Sequence, residues 1–141
     1  MVGMGILQPV VALAAWTMVM WLWMYGTRIP AMRAARLNPN ELADQGVKLD
    51  NVLPPQVQWK AHNYNHLHEA PTVFYAVAIV LAIVGAGDGY NLWLGWLYVA
   101  IRIVHSLVQA TVNKVVVRFA VFVLSSLVLI ALIVHAAVAL F

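Results

Sequence analysis

Residues 90–112 read YNLWLGWLYVAIRIVHSLVQATV, an apolar run that reaches the length of about 20 residues a helix needs to cross a bilayer. Such a run can satisfy its backbone polar groups within lipid only as an α-helix. It nevertheless contains Arg102, His105 and Gln109, polar side chains that are costly in lipid and therefore usually face other helices. The stretch predicts a spanning helix whose polar face is turned inward.

Three further apolar runs are long enough to cross the membrane. The expected spans are at about residues 2–25, 62–84, 90–112 and 119–141, with a first loop at about 26–61. The connection GAGDG at residues 85–89 is short, so the second and third spans are expected to be antiparallel neighbours. The sequence predicts an all-α integral membrane protein, a four-helix transmembrane bundle built from residues 1–141 as a single domain.

The composition of the 141 residues excludes several other classes of protein. Charged residues make up 9%, whereas a soluble domain has about 25% and needs them to cover its surface. The 64% of hydrophobic residues excludes a disordered chain, and the absence of cysteine excludes disulfides and thiolate chemistry. The net charge of +3 comes from cations beside apolar runs, which fits membrane flanks better than nucleic-acid binding.

The positions of the cations predict the orientation in the membrane. Lys and Arg occur in the first loop and in the connection between the last two spans, whereas the N-terminal tail, the second loop and the C-terminus have none. Because cytoplasmic loops carry the excess of Lys and Arg, we expect both basic segments in the cytoplasm and both termini outside. The cations concerned are Arg28, Arg33, Arg36, Lys48, Lys60, Lys114 and Arg118.

Polar side chains recur at helical spacing in the cytoplasmic halves of the second and third spans. At a rise of 1.5 Å per residue, Glu69 and Arg102 come to depths of roughly 10 and 16 Å, which a long Arg side chain can bridge. We therefore expect a buried Glu69–Arg102 pair with His105 beside it. The two stripes contain His62, Asn65, His66, Glu69, Arg102, His105, Ser106, Gln109 and Asn113.

Several interpretations of these polar residues are open. They can be contacts that hold helices together, and the cations at the cytoplasmic mouth can be ordinary positive-inside flanks. His62 with His66 can hold a metal ion, and His66 with His105 a haem, but no metal motif supports either and we expect none. A cavity with a cationic rim and polar groups deeper inside suits a small anionic ligand with several carboxylates.

Three local matches make the chain similar to the MAPEG family, the membrane-associated proteins in eicosanoid and glutathione metabolism. Arg36–Ala43 (RLNPNELA) resembles the family's Asn-Pro-Glu-Asp segment, and Lys60–Glu69 (KAHNYNHLHE) resembles its Arg-Ala-His-x-Asn-x-x-Glu-Asn run. The resemblance covers essentially the whole chain. The chain resembles a divergent member of the family, nearest to the prostaglandin E synthase and microsomal glutathione transferase pattern. The Arg-x-x-His…Arg…Arg spacing of the prostaglandin E synthase branch is met without a gap by Arg102, His105, Lys114 and Arg118.

The resemblance implies a homotrimer that holds glutathione near the cytoplasmic side between subunits. It implies that Arg118 is catalytic, because an Arg beside a thiol favours the thiolate. The implied function is a glutathione-dependent transferase or peroxidase for lipophilic electrophiles that arrive through the membrane lipids. The other contacts to glutathione are expected from Arg28, Asn65, His68, Glu69, Arg102, His105, Gln109 and Lys114.

The chain also departs from the family pattern. In register with Asn65 the family's Glu falls on His68, and a family Tyr is Gln109 here. The Ser and Tyr that follow the last Arg are Phe119 and Phe122, so two hydroxyls that can stabilise a thiolate are missing. These departures keep a second function open, namely a non-catalytic MAPEG-fold scaffold or lipid-binding subunit of a membrane assembly.

Overall fold

The computed structural model describes residues 3–46 and 52–141, and the secondary structure of this part of the chain is entirely helical. A short 3₁₀ turn, Met4–Ile6, leads into α1 (Leu7–Ala34), α2 (Pro39–Asp44), α3 (Pro55–His66), α4 (Ala70–Ile83), α5 (Tyr90–Thr111) and α6 (Val115–Leu140). Residue 2, at the start of the first expected span, and Lys48, one of the loop cations, lie outside the described residues.

Four helical stretches within the described residues are long and apolar enough to cross a membrane: Met4–Ala34, Pro55–Ile83, Tyr90–Thr111 and Val115–Leu140. The all-α, multi-pass membrane class predicted from the apolar runs is therefore confirmed. The helices extend beyond the apolar runs, because α1 continues past Arg28 and α3 begins within the stretch expected as a loop. Between them, Asn38 caps the start of α2, since its side chain accepts a hydrogen bond from the Asn40 N–H at 3.0 Å.

The second spanning stretch is broken between α3 and α4. In an uninterrupted helix the ring of Pro71 would clash with the carbonyl of Leu67, four residues earlier, and Pro71 has no N–H to donate to it. Accordingly α3 ends at His66 and α4 begins at Ala70. Glu69, at the start of α4, has the non-helical angles φ −94° and ψ −101°. Its side chain therefore does not continue the polar stripe of α3.

Helix α5 has neighbours on several sides and packs against α1, α3 and α6. The apolar core includes fully buried side chains from four helices, among them Leu13, Phe74, Tyr98 and Leu132. The rings of Phe74 and Tyr98 stack with their centroids 4.5 Å apart, which joins α4 to α5. The outer faces of the helices expose many large apolar side chains, as expected of a bundle surrounded by lipid.

One end of the bundle is closed by the N-terminal segment, which docks on the connection between α4 and α5. We call this connection, Gly85–Gly89, the glycine turn; its first and last residues have positive φ, 80° and 65°. The N–H groups of Gly3, Gly5 and Ile6 donate to it or to the end of α4 at 2.9–3.0 Å. Their respective acceptors are the Ala82 carbonyl, the Asp88 carboxylate and the Gly87 carbonyl.

The opposite end carries all the Lys and Arg of the described residues except Arg102, which lies within α5, and is called the basic end here. It contains the last turns of α1, the start of α3 and the connection between α5 and α6. Lys60 ties these parts together, because its Nζ donates to the carbonyls of Gln56 and Ala110 and lies 5.1 Å from the centre of the Trp23 ring. The cations of the basic end are Arg28, Arg33, Arg36, Lys60, Lys114 and Arg118.

Candidate functional site

The inward face of α5 is polar along the half of the helix that leads to the basic end. Arg102 is fully buried and His105 is 2% exposed, although both lie in a helix apolar enough to span a membrane. This burial confirms the expectation that the polar stripe of the third span faces other helices. The buried polar side chains of this face are Tyr98, Arg102, His105, Ser106 and Gln109.

Many polar atoms on this face have no hydrogen-bond partner in the described part of the chain. All three nitrogens of the Arg102 guanidinium belong to this group, and so do both amide atoms of Asn63 on the facing helix α3. Burying such groups without partners is costly, so the interior beside α5 is suited to polar guests that supply the missing hydrogen bonds. The other unpartnered atoms of α5 are Tyr98 Oη, His105 Nδ1, Ser106 Oγ and Gln109 Oε1.

The expected buried pair between Glu69 and Arg102 does not form. The Glu69 side chain is 68% exposed, and its Oε2 accepts a hydrogen bond from His66 Nδ1 at 3.0 Å. The reason is the break at Pro71, which removes Glu69 from the helical stripe on which the prediction of the pair was based. The pairing prediction was wrong, and His66 is the partner that Glu69 contacts.

A cavity of about 420 Å³ opens between α3, α5 and α6. This volume lies within the range of small-molecule sites, about 300–1,000 Å³. Cationic, imidazole and amide groups line it together with aromatic rings, so one side is polar and the other is apolar. The lining residues are His62, His66, His105, Gln109, Val115, Arg118, Phe119 and Phe122.

Two imidazole rings lie against each other in the cavity wall. The centroids of His66 and His105 are 4.9 Å apart with the planes tilted by 31°, and the ring of Phe122 lies 5.7 Å from His66 and 6.4 Å from His105. At this separation the two imidazoles are in contact, which leaves no space for a porphyrin between them. Each ring also has one nitrogen, His66 Nε2 and His105 Nδ1, that is buried without a hydrogen-bond partner in the described chain.

Arg118 enters the cavity from the first turn of α6. Its Nη1 donates to the side-chain oxygen of Asn113 at 2.5 Å. Asn113 ends α5 in the left-handed conformation, with φ 48°, and its N–H donates back to the Val108 carbonyl at 2.7 Å. Asn is one of the residues that tolerate this conformation at a helix C-terminus. The turn that reverses the chain therefore also positions the guanidinium.

The predicted site residues divide into those inside the bundle and those on its surface. His105, Gln109 and Arg118 line the cavity, and Arg102 lies in the adjacent interior. Arg28 is half-buried in α1, with its Nε unpartnered in the described chain, and does not line the cavity. The residues exposed on the outer surface of the single chain are Asn65, His68, Glu69 and Lys114.

His66 and His62 are polar cavity residues that were not among the ligand contacts expected from the sequence. Both were placed in the polar stripe of the second span and considered as metal ligands, and His66 also as a haem ligand. For His66 a further signal was present. The signal that could have found it is its spacing of three residues before Glu69, which allows a carboxylate to hold one imidazole nitrogen. Within residues 3–46 and 52–141, no three His, Asp or Glu side chains are grouped so that they could hold a metal ion.

The comparisons with known proteins agree with this architecture. The model of the MAPEG family matches residues 6–138, which include all four spanning stretches almost completely. Comparison with curated proteins and with solved structures gave no match. The matched region contains the polar face of α5 and all the residues that line the cavity. With its four apolar helical stretches and a family match over nearly its full length, this multi-pass membrane protein belongs to the MAPEG family.

Proposed function

We propose that the protein is a glutathione-dependent transferase or peroxidase that acts on lipophilic electrophiles from the bilayer. The observation that carries this proposal is the cavity at the basic end, where Arg118 faces the polar groups of α5. MAPEG membership places the protein in a family of eicosanoid and glutathione metabolism, which supports a thiol tripeptide as the co-substrate.

The residues of the cavity fit glutathione by charge and by hydrogen-bonding capacity. Glutathione carries two carboxylates, and the cavity contains the Arg118 guanidinium at an end of the bundle rich in cations. His105 Nδ1 and Gln109 Oε1 are buried without partners and can bond to a peptide-like ligand. Arg28 and Lys114 belong to the same end, where they add to the positive potential that attracts an anion.

The chemical step assigned to Arg118 is the stabilisation of a thiolate. A guanidinium beside a thiol favours its ionised form, and the thiolate is the nucleophile. Phe119 and Phe122 on the same wall provide an apolar surface for the lipophilic reactant. An apolar groove of about 200 Å³ on the outer side of α5 and α6, lined by residues such as Val104 and Leu124, supports approach from the lipid.

We further propose that the protein works as a homotrimer with the basic end in the cytoplasm. Asn65, His68 and Glu69 are exposed within a stretch that is apolar enough to span the membrane, where contact with lipid is costly. A neighbouring subunit can cover all three and bring Asn65 and His68 to its own cavity. The cytoplasmic side follows from the excess of Lys and Arg at the basic end.

Binding is tested by the thermal stability of the purified protein in detergent. A ligand at 100 times its Kd stabilises a protein by about 2.7 kcal/mol, so millimolar glutathione should raise the melting temperature measurably. Arg118→Ala should lose this shift. Arg33→Ala, which removes an exposed cation at the same end outside the cavity, is the matched control and should retain it. No shift in the native protein would contradict the proposed site.

Catalysis is tested by conjugation of glutathione to a chromogenic electrophile. Removing one group that stabilises developing charge typically costs 10²–10³ in kcat, so Arg118→Ala should be at least about 100-fold slower than Arg33→Ala. Equal rates in the two variants would remove Arg118 from the mechanism.

Assembly and orientation have separate tests. Native mass spectrometry from detergent should give three chains per particle. Since the chain has no cysteine, single replacements Arg33→Cys and Tyr90→Cys give clean probes of the two ends. In sealed vesicles of known orientation, a membrane-impermeant thiol reagent should label Arg33→Cys only from the cytoplasmic side.

A second function, a non-catalytic scaffold or lipid-binding subunit, is favoured by one specific observation. The residues beside Arg118 in the cavity are Phe119 and Phe122 rather than hydroxyl-bearing side chains, and Nη1 of Arg118 is bonded to Asn113. If this second function is correct, glutathione should not raise the melting temperature and no conjugation should be detected. Added lipid should instead stabilise the protein.

A further inference from the structure

The His66 imidazole is held in one orientation by a carboxylate. Its Nδ1 lies 3.0 Å from Glu69 Oε2, and a carboxylate can only accept a hydrogen bond, so Nδ1 carries the proton. In a neutral imidazole the other nitrogen, Nε2, then has the lone pair. Glu69 therefore determines which nitrogen of His66 can act as a base.

That basic nitrogen lies inside the bundle, on a residue of the cavity wall. His66 lines the cavity, and its Nε2 is buried without a hydrogen-bond partner in the described part of the chain. The adjacent rings of His105 and Phe122 restrict how the imidazole can turn. An unpartnered lone pair beside a ligand-sized cavity is what a proton acceptor needs before its substrate binds.

The charged and titratable groups around His66 come from every element packed against it. Glu69 lies on one side at the start of α4, and the guanidiniums of Arg102 on α5 and Arg118 on α6 act on the imidazole electrostatically. His105 lies against it on α5, and His62 lines the same cavity from α3. A proton taken up by His66 is balanced by the Glu69 carboxylate, while Arg118 remains free to hold an anion.

From this geometry we infer that His66 is the general base of the cavity and that Glu69 is its positioning residue. The inference rests on the proposed function, in which the reactant in the cavity is a thiol. The S–H bond breaks, its electron pair stays on sulfur beside Arg118, and the proton forms an N–H bond at His66 Nε2. The proton is afterwards released to water at the basic end. Base and anion-stabilising cation thus come from two helices, α3 and α6.

The decisive experiment compares the pH dependence of glutathione conjugation in native protein and in His66→Gln. General-base catalysis typically contributes 10²–10⁴-fold, so His66→Gln should lower kcat/KM about 100-fold at pH 7. The difference should narrow as the pH passes about 8.5, the ordinary pKa of a cysteine thiol, because solution then supplies the thiolate without a base. At pH 7 the ultraviolet absorbance of the thiolate of bound glutathione should also be lower in His66→Gln than in the native protein.

Glu69→Gln tests the positioning role separately. It keeps the size of the side chain but removes the charge, and should lower kcat about tenfold with little change in the KM for glutathione. His135→Gln is the matched control, since His135 lies on α6 near the closed end, bonded to Asn91, and should behave as the native protein. Melting temperature and elution volume verify that each variant is folded. If His66→Gln does not fold, the pH profile of Glu69→Gln decides the question alone.

The outcomes separate this inference from the function on which it rests. Native protein that binds and conjugates glutathione, with unchanged rates and pH profiles in His66→Gln and Glu69→Gln, overturns the base and leaves the proposed function standing. Native protein that neither binds nor conjugates glutathione overturns both. A loss of kcat/KM that is equal at every pH and accompanied by a lower melting temperature indicates a structural role for His66. This result also overturns its assignment as the general base.

Discussion

Gly87→Ala gives the sharpest test of how the closed end is held together. A Cβ built on Gly87 would lie 1.9 Å from the Gly3 carbonyl oxygen and 2.8 Å from Cγ2 of Ile6. The nearest of these atoms is backbone, so a methyl group cannot be accommodated by a side-chain rotation. The N-terminal turn must move away from the glycine turn.

The cost can be worked out from the hydrogen bonds that docking provides. Three bonds, from the N–H groups of Gly3, Gly5 and Ile6, are lost when the turn moves. At about 1 kcal/mol each, Gly87→Ala should lower the free energy of unfolding by about 3 kcal/mol. Gly26→Ala is the matched control, because its Cβ meets nothing within 4 Å and alanine favours a helix interior by about 1 kcal/mol.

The assay is reversible unfolding in mixed detergent micelles with increasing SDS, followed by circular dichroism. Limited proteolysis gives a second readout, since an undocked N-terminus should be cleaved in Gly87→Ala and protected in Gly26→Ala. Equal unfolding free energies in the two variants would refute the idea that docking of the N-terminal turn stabilises the bundle.

Three further predictions test the interior and the basic end. Because Glu69 and Arg102 make no contact, the effects of Glu69→Ala and Arg102→Leu on the free energy of unfolding in SDS should add to within about 0.5 kcal/mol. A larger coupling energy would show that the two side chains do interact. Lys60→Met should cost about 2 kcal/mol, because it removes charge-assisted bonds to the carbonyls of Gln56 and Ala110, whereas the exposed Lys114→Met should be nearly neutral. Asn113→Ala should unfold about 1 kcal/mol more easily than Asn113→Gly, since alanine resists the φ of 48°; equal stabilities would contradict this conformation.

The fold was largely predictable because bilayer crossing imposes a simple length rule. Apolar runs of about 20 residues identify spanning helices without knowledge of their packing. The inward polar face of α5 was predictable for a related reason, since Arg102 and His105 could not be placed against lipid at acceptable cost. The burial of both side chains agrees with this reasoning.

The candidate site was less predictable because it depends on backbone geometry that periodicity does not encode. Pro71 was visible in the sequence, but the pairing prediction treated residues 62–69 as one continuous helix. It therefore placed Glu69 on the same inward face as His62 and His66, although α3 ends at His66. His66 could be identified as a cavity residue only once α3, α5 and α6 were packed together. For the same reason, spacing along the chain could not show that Lys114 lies on the surface while Arg118 lines the cavity.

The buried polar face of α5 has a consequence for how the chain is inserted into the membrane. A segment with Arg102 at its middle enters a bilayer reluctantly, since translocon scales assign about 2.5–3.5 kcal/mol to a central arginine. The next segment to be synthesised, α6, is the most hydrophobic of the four, with a mean hydropathy of 2.7 against 1.3 for α5, and packs directly against it. We therefore expect stable insertion of α5 to require the synthesis of α6. Chains truncated before α6 should fail to keep α5 in the membrane and should be degraded.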